Sequence, residues 1–270
     1  MRKVRIVVFG ALGRMGRAIL DAMSTDPGFH LRSALIKERS EKKGATLDSQ
    51  DLRTLGDIPT YVSLKKLRSP GDVIIDVTRA EAVADNITWA ASAKIPYVLA
   101  VTGLNEATKA KVEKASKKIP IVVAPNLSVG IAVMNEVVRL IAQLLPESEI
   151  EMVETHHRAK KDAPSGTAIE LARVMVESSS RKREVFFGRT NIGRGGDGDI
   201  FIHSLRAGDA VGEHQLKFFL EGEQIQVGHI ATSRAIFARG ALRAARFVVD
   251  QAPGIYTMRD VLGLGKIDHG

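Results

Sequence analysis

A short apolar run, Val4 to Phe9, ends in glycines spaced at Gly10, Gly13 and Gly16. Met15, Ala18, Ile19 and Ala22 then follow helical spacing, so a strand feeds a helix through a tight turn. This opening constrains the fold more than any other feature of the chain. Glycine permits the turn and lets a phosphate approach the backbone, and a helix start offers free N–H donors at the positive end of its dipole. The spacing is GxxGxxG, with Leu12 where the commoner GxGxxG places its second glycine. An ordinary tight turn would use the same residues. The strand before it and the helix after it favour a pyrophosphate cradle made of Gly10, Ala11, Leu12, Gly13, Arg14 and Met15.

The chain continues in the same style. Leu31–Ile36, Val73–Val77, Tyr97–Val101 and Ile121–Ala124 are short apolar strand candidates, with a lysine-rich helix from Asn105 to Lys118 between the last two. Strands alternating with helices imply a parallel sheet with crossover helices. After Asn126 the character changes: a helix over Ile131–Leu145, a strand over Ile150–Thr155, and a helix over about Thr167–Glu177. Ile200–Arg206, His214–Phe219 and Gln224–His229 then alternate between turns and predict an antiparallel meander. Ala235–Asp250 returns to helix, and Gly193–Asp199 reads as a loop whose aspartates fall short of a calcium pattern. The fold class is α/β, an N-terminal dinucleotide-binding domain followed by an α+β domain with a mixed or antiparallel sheet.

The end of the second strand bears on which dinucleotide fits. An acid there accepts a bond from the free ribose of NADH, whereas basic residues receive the 2′-phosphate of NADPH. Ile36-Lys37-Glu38-Arg39 holds both kinds, with Arg14 within reach; Glu38 keeps NADH open, while Lys37 and Arg39 favour NADPH. A net charge of +8 suits anionic ligands of this sort. It comes without a long basic block, and aromatics are only 5%, so nucleic acid is not an expected partner. The sequence has no cysteine, no run of about 20 apolar residues and only a superficial likeness to a signal peptide at its start. The expectation is a cytoplasmic protein with no membrane partner.

The richest chemistry lies in Glu154 to Ala168, ETHHRAKKDAPSGTA. Strand alternation puts Glu154 and His156 on one face and His157 on the other. A histidine titrates near neutral pH and suits general acid work. Lys160 can neutralise a carboxylate or donate a proton. Pro164-Ser165-Gly166-Thr167 opens a helix whose N–H groups, with the Thr167 hydroxyl, form a carboxylate cradle. Glu154 could complete a metal site with the histidine pair, but a third neutral ligand is missing and lysines crowd the loop, so no metal is expected. Ser165 lacks the GxSxG setting of a nucleophile. These features point to a two-domain reductase acting on a small dicarboxylate; a dinucleotide-binding sensor on the same fold is the non-enzymatic alternative.

The chain resembles the dihydrodipicolinate reductase family of lysine biosynthesis, whose members are also described as 4-hydroxy-tetrahydrodipicolinate reductases. The resemblance is carried by the histidine-rich stretch, Gly13-Arg14-Met15-Gly16, Asp76 to Thr78, Thr102-Gly103, Ala124 to Gly130 (APNLSVG), Arg206 to His214 (RAGDAVGEH) and Met258 to Leu264 (MRDVLGL). It implies a Rossmann domain over residues 1–126 and 237–270, and a substrate-binding and oligomerisation domain over 127–236 that forms a homotetramer. It further implies His156 as proton donor and acceptor, Lys160 as second proton donor, and His157, Gly166 and Thr167 as carboxylate holders, with Arg234 lining the site. Ala100, Val101 and Thr102, with Ala124, Pro125, Asn126 and Leu127, would line the nicotinamide pocket. The chain departs from the family at Ala100-Val101, where Gly-Thr is common, at Ile36, where an acid is common, and at Ala132, where Asn is common.

Overall fold

The computed structural model describes residues 2–36, 58–67, 71–189 and 198–264. They divide into two compact units, one running to Leu127 and resuming at Ala235, the other spanning Ser128–Arg234.

The first unit alternates strands and helices: β1 (Val4–Phe9), α1 (Arg14–Ser24), β2 (Phe29–Leu35), β3 (Thr60–Tyr61), β4 (Val73–Asp76), α2 (Ala80–Ala93), β5 (Tyr97–Leu99), α3 (Glu106–Ser116) and β6 (Pro120–Val123). After the second unit the chain returns with α6 (Ala235–Val248), β12 (Gly254–Tyr256) and α7 (Met258–Val261). All neighbouring strands pair in parallel, in the order β12-β6-β5-β4-β1-β2-β3. Helices cover such a sheet on both faces, which is why β4 and β5 carry only buried residues. Ile74, Tyr97, Leu99 and Ile121 meet Val83, Ile87 and Val112 of α2 and α3 in one apolar cluster. The small residues Ala238, Ala241, Ala244 and Ala245 form the buried stripe of α6.

Two details differ from the reading of the sequence. The buried face of α1 is Gly16, Ile19, Leu20 and Met23, with Met15, Ala18 and Ala22 only half-buried, so the helix is rotated from the expected stripe. Helix α2 buries Val83, Asn86, Ile87, Ala90 and Ala91 and exposes Glu81, Asp85, Thr88 and Ser92, a segment the reading of the sequence did not assign to a helix.

The second unit contains α4 (Val129–Leu144), β7 (Glu149–His156), α5 (Gly166–Ser178), β8 (Val185–Phe187), β9 (Ile200–Arg206), β10 (Gly212–Leu220) and β11 (Glu223–Ala231). Their sheet runs β11-β10-β7-β9-β8. The expected meander is corrected here: only β10 and β11 form an antiparallel hairpin, while β9 lies parallel to β7 on its other side. The loop from β9 to β10 passes the end of β7, where Ala207 N–H donates to His156 O at 3.0 Å and His157 N–H to Ala210 O at 2.8 Å. This crossing puts β7 at the centre, flanked by β9 and β10. Ile150, Met152, Ile200, Ile202, Leu216 and Phe218 on one sheet face pack against Met134, Val138, Leu171 and Met175 of α4 and α5.

Gly16 is the tightest point of the first turn. A Cβ there would sit 2.3 Å from the Gly10 carbonyl oxygen and 2.5 Å from that of Ala11. Gly16→Ala is expected to lose roughly 1–3 kcal/mol or more in urea unfolding, because backbone must move. It should weaken dinucleotide binding in parallel, which a titration of cofactor fluorescence checks.

Candidate active site

The C-terminal ends of parallel strands share one edge of a sheet, and in open α/β sheets ligands bind there, at the point where strand order reverses. In the first unit that point lies between β1 and β4. The turn after β1 leaves the sheet with Gly10 N–H on Leu35 O at 2.8 Å and Gly13 N–H on Gly10 O at 2.9 Å. Gly10 adopts a φ of +84° and packs against the Val77 carbonyl beyond β4. Gly13 is the N-cap of α1 and supplies no side-chain bond to it. The first N–H groups of α1 therefore face outward for an anion, with Arg14 exposed beside them. These residues fit a dinucleotide pyrophosphate.

Ala100–Thr102 and Ala124–Leu127 follow β5 and β6 on the same sheet edge, where Ala100 N–H donates to Asp76 O at 3.0 Å and Ala124 N–H to Leu99 O at 2.9 Å. The structure thus brings these predicted residues to the edge that carries the glycine turn. Lys37, with Glu38 and Arg39, lies outside the described residues.

Asp76, fully buried at the end of β4, organises the same edge. Its carboxylate accepts from Thr78 N–H at 2.8 Å, Asn86 Nδ2 at 2.9 Å, the Thr78 hydroxyl and the Tyr97 hydroxyl. Burial, then the adjacent carboxylate, pushes the Tyr97 phenol well above its ordinary range, so it stays a donor. The sequence marked Asp76 as a strand end and as part of the family resemblance, but not this role, because Asn86 and Tyr97 reach it from separate elements.

In the second unit, β7 delivers Glu154 and His156 to the same face. The carboxylate Oε2 and the ring Nδ1 are 2.5 Å apart. Glu154 is fully buried and accepts from the Ser165 N–H at 3.1 Å and from Arg206 through two nitrogens, at 2.7 and 3.0 Å. Burial pushes its carboxyl up, but hydrogen bonds from Arg206, Ser204 and His156 outweigh that and hold it below the ordinary carboxylate range. Arg206 also donates to the Asp162 carbonyl at 2.6 Å and so ties down the loop that bears Lys160.

Ser165 caps α5 by accepting from Ala168 N–H at 3.2 Å, and its hydroxyl shares a hydrogen bond with His214 Nε2 at 3.0 Å. Ser204, Glu154, His214 and His229 form one cross-strand row. This polar row closes the end of the apolar core. Burial, followed by the neighbouring His156, lowers His214 to about 4. His156 is lowered in the same sense, mainly by burial and against the raising influence of Glu154.

Gly166 and Thr167 open α5, and a Cβ at Gly166 would meet nothing within 4 Å, so the helix start is accessible. Lys160 Nζ rests on the Asp162 carboxylate at 2.7 Å. His157 is half-buried on the other side of the strand end, and Arg234 is exposed just beyond β11. Sequence reasoning singled out neither Arg206 nor His214 as a site residue. Both sit in the RAGDAVGEH run, and only the register of β9 and β10 against β7 shows what they touch. Among the described residues no cluster suits a metal. His156 Nδ1 is already engaged by a carboxylate that Arg206 neutralises. A groove of about 780 Å³ along the second half of α1, lined by Asp21, Arg239 and Arg243, carries none of these groups.

Comparison with known proteins places this geometry. Residues 4–127 match the family model described as dihydrodipicolinate reductase, N-terminus, and residues 130–262 match its C-terminus counterpart. A 4-hydroxy-tetrahydrodipicolinate reductase of Rubrobacter xylanophilus is 41% identical over 96% of this chain and 98% of its own length. The enzyme of the same name from Thiobacillus denitrificans is 38% identical over 97% and 99%. Among solved structures, the dipicolinate-bound dihydrodipicolinate reductase of Paenisporosarcina sp. TG-14 superposes with a TM-score of 0.78 at 23% identity, covering 94% of this chain and 97% of that one. A myo-inositol dehydrogenase of Corynebacterium glutamicum shares the fold at a TM-score of 0.59 and 16% identity, over 97% and 94%.

The neutral burial of His214 makes stability fall in mild acid. Its folded pKa of about 4 lies below the ordinary 6.5. The contribution is therefore complete above 6.5 and is lost as pH falls toward 4. The full effect is on the order of 3 kcal/mol. Urea midpoints measured between pH 7 and 5 should drop, and His214→Gln should flatten the slope. Some slope will remain, since burial also lowers His156 and His229. An unchanged slope would contradict the assignment.

Proposed function

Because this chain belongs to the dihydrodipicolinate reductase family, we propose that it reduces 4-hydroxy-tetrahydrodipicolinate, through its dehydrated cyclic imine, to tetrahydrodipicolinate in lysine biosynthesis. The observation that carries this reading is the pairing, through Glu154, of a proton-bearing histidine with an open helix start. A dicarboxylate needs donors fixed in place, and the N–H groups of Gly166 and Thr167 with the Thr167 hydroxyl supply them at the positive end of α5. His157 and the Arg234 guanidinium would hold the second carboxylate, and Lys160 exchanges Asp162 for substrate.

The cofactor, when bound, supplies a hydride. The first unit holds it: the α1 start receives the pyrophosphate, and Ala100–Thr102 with Ala124–Leu127 receive the nicotinamide. Lys37 and Arg39, with Arg14, favour NADPH, and Glu38 keeps NADH as the alternative reductant. His156, in its cationic form, gives the proton that completes the reduction. Burial and the neighbouring cations lower its pKa in the free protein. A bound dianion reverses that influence, so substrate itself loads the ring with a proton.

We also infer a homotetramer built on the second sheet. Its face away from α4 and α5 carries Leu205, 51% exposed, and Ile230, 67% exposed, in one row across β9, β7, β10 and β11. The two stand at the ends of that row, with Thr155 and Glu213 between them, and exposed aliphatic side chains on one sheet face suit a subunit interface. Light scattering should report four chains, and Ile230→Asp should give smaller species.

A coupled assay with freshly made synthase product, following NADPH and NADH oxidation separately, tests the activity. His156→Ala should lower kcat by ~10²–10⁴ with little change in KM. Thr167→Ala should mainly raise KM. Near-normal turnover in His156→Ala would sink the proton assignment, and equal or better rates with NADH would overturn the cofactor preference.

A further inference from the structure

The buried Glu154 carboxylate ties three elements of the second unit together. It touches the imidazole of His156 on β7, the guanidinium of Arg206 on β9 and the N–H that precedes α5. A carboxylate held ionised by a bidentate arginine cannot donate to a ring nitrogen; it can only accept. The proton of the short contact therefore sits on His156 Nδ1. That choice fixes the other nitrogen. In the neutral ring Nε2 is unprotonated, and in the cation its proton is the one free to leave. The ring is placed to match: Nε2 lies beside Gly212, 3.0 Å from where a Cβ there would stand, so any side chain at that position would crowd it.

We propose that Glu154, clamped by Arg206, is a positioning residue for the reduction: it holds His156 in the Nδ1–H form, presents Nε2 as the nitrogen that delivers the proton, and locks that ring to the start of α5. This rests on the reading of His156 as proton donor. The charged and titratable groups facing the ring are Glu154 on β7, Arg206 on β9, His214 on β10 and Lys160 on the loop. Glu154 alone among them favours the cation. The Arg206 charge prevents the carboxylate from holding the imidazolium too firmly, and the His214 ring, 5.4 Å away and nearly perpendicular, limits rotation. Glu154 also accepts from Ser165 N–H, one residue before the proposed carboxylate cradle. Proton donor and cradle are thus positioned by the same side chain.

The direct test is the tautomer of His156 in the unaltered, full-length protein. Nitrogen-15 NMR of histidine-labelled protein should show His156 Nδ1 protonated and Nε2 unprotonated above its pKa. A neutral ring carrying its proton on Nε2 would overturn the proposal, whatever any variant does. Kinetics supply the second arm. Glu154→Gln should cut kcat by roughly 10- to 1,000-fold, with a smaller change in KM and none in cofactor affinity. The alkaline limb of kcat should move to lower pH, because the group that raises the His156 pKa is gone. Glu154→Asp should recover part of the rate. In a His156→Ala background, Glu154→Gln should change kcat less than about two-fold, since a residue acting through another adds nothing once that other is removed. Multiplying losses would mean that Glu154 acts as a structural tie, and would refute the role. If His156→Ala alone kept its turnover, the proton assignment would fail while the NMR result still decided the tautomer.

Discussion

A single buried negative charge sets the terms for the second unit. Glu154 has no exposed surface, and leaving such a charge unpaired would cost on the order of 3–5 kcal/mol. Its partners therefore must stay. Arg206 has to come from β9, the His156 ring has to turn its Nδ1 inward, and the Ser165 N–H has to arrive at the head of α5. Each requirement is a tertiary constraint. Together they force β9 beside β7, bring the Asp162 loop down onto Arg206, and register α5 against the sheet. What this arrangement leaves for the proposed chemistry is an Nε2 beside Gly212, an open helix start and a lysine resting on an exposed aspartate.

The first unit follows the same logic with Asp76. A buried carboxylate at the end of β4 gathers Thr78, Asn86 and Tyr97, and so holds the backbone that packs on Gly10. In both units an acidic residue at the end of a central strand converts local sequence into a fixed rim. Neither acid needs to touch a ligand to matter. Changing either should disturb several neighbours at once, which distinguishes such residues from surface carboxylates like Glu170 and Glu177, paired with Arg173 along one exposed helix face.

Much of the first unit was legible because its signals are local. A strand, a glycine turn and a helix lie within the first 24 residues, and alternating apolar runs name a parallel sheet without knowledge of contacts. Likewise, strand periodicity alone put Glu154 and His156 on one face, and Ser165 was readable as the start of a helix. What stayed hidden depends on pairing between distant segments. The antiparallel meander was a reasonable reading of evenly spaced alternating runs, yet β9 pairs in parallel with β7, and nothing in a linear sequence reports that crossing. Arg206 and His214 were invisible as site residues for the same reason. The short β12 offers too few residues for periodicity to register, whereas α2, with Glu81, Asp85, Thr88 and Ser92 along its exposed face, carried a legible helical pattern.

The most direct measurement is a crystal structure of the protein with 2,6-pyridinedicarboxylate, a planar stand-in for the reduced ring. The expected density has one carboxylate on the N–H groups of Gly166 and Thr167, with the ring edge beside His156 Nε2. A ligand bound elsewhere, with the start of α5 empty and His156 unapproached, would contradict the assignment of this cluster as the place where substrate is held and protonated.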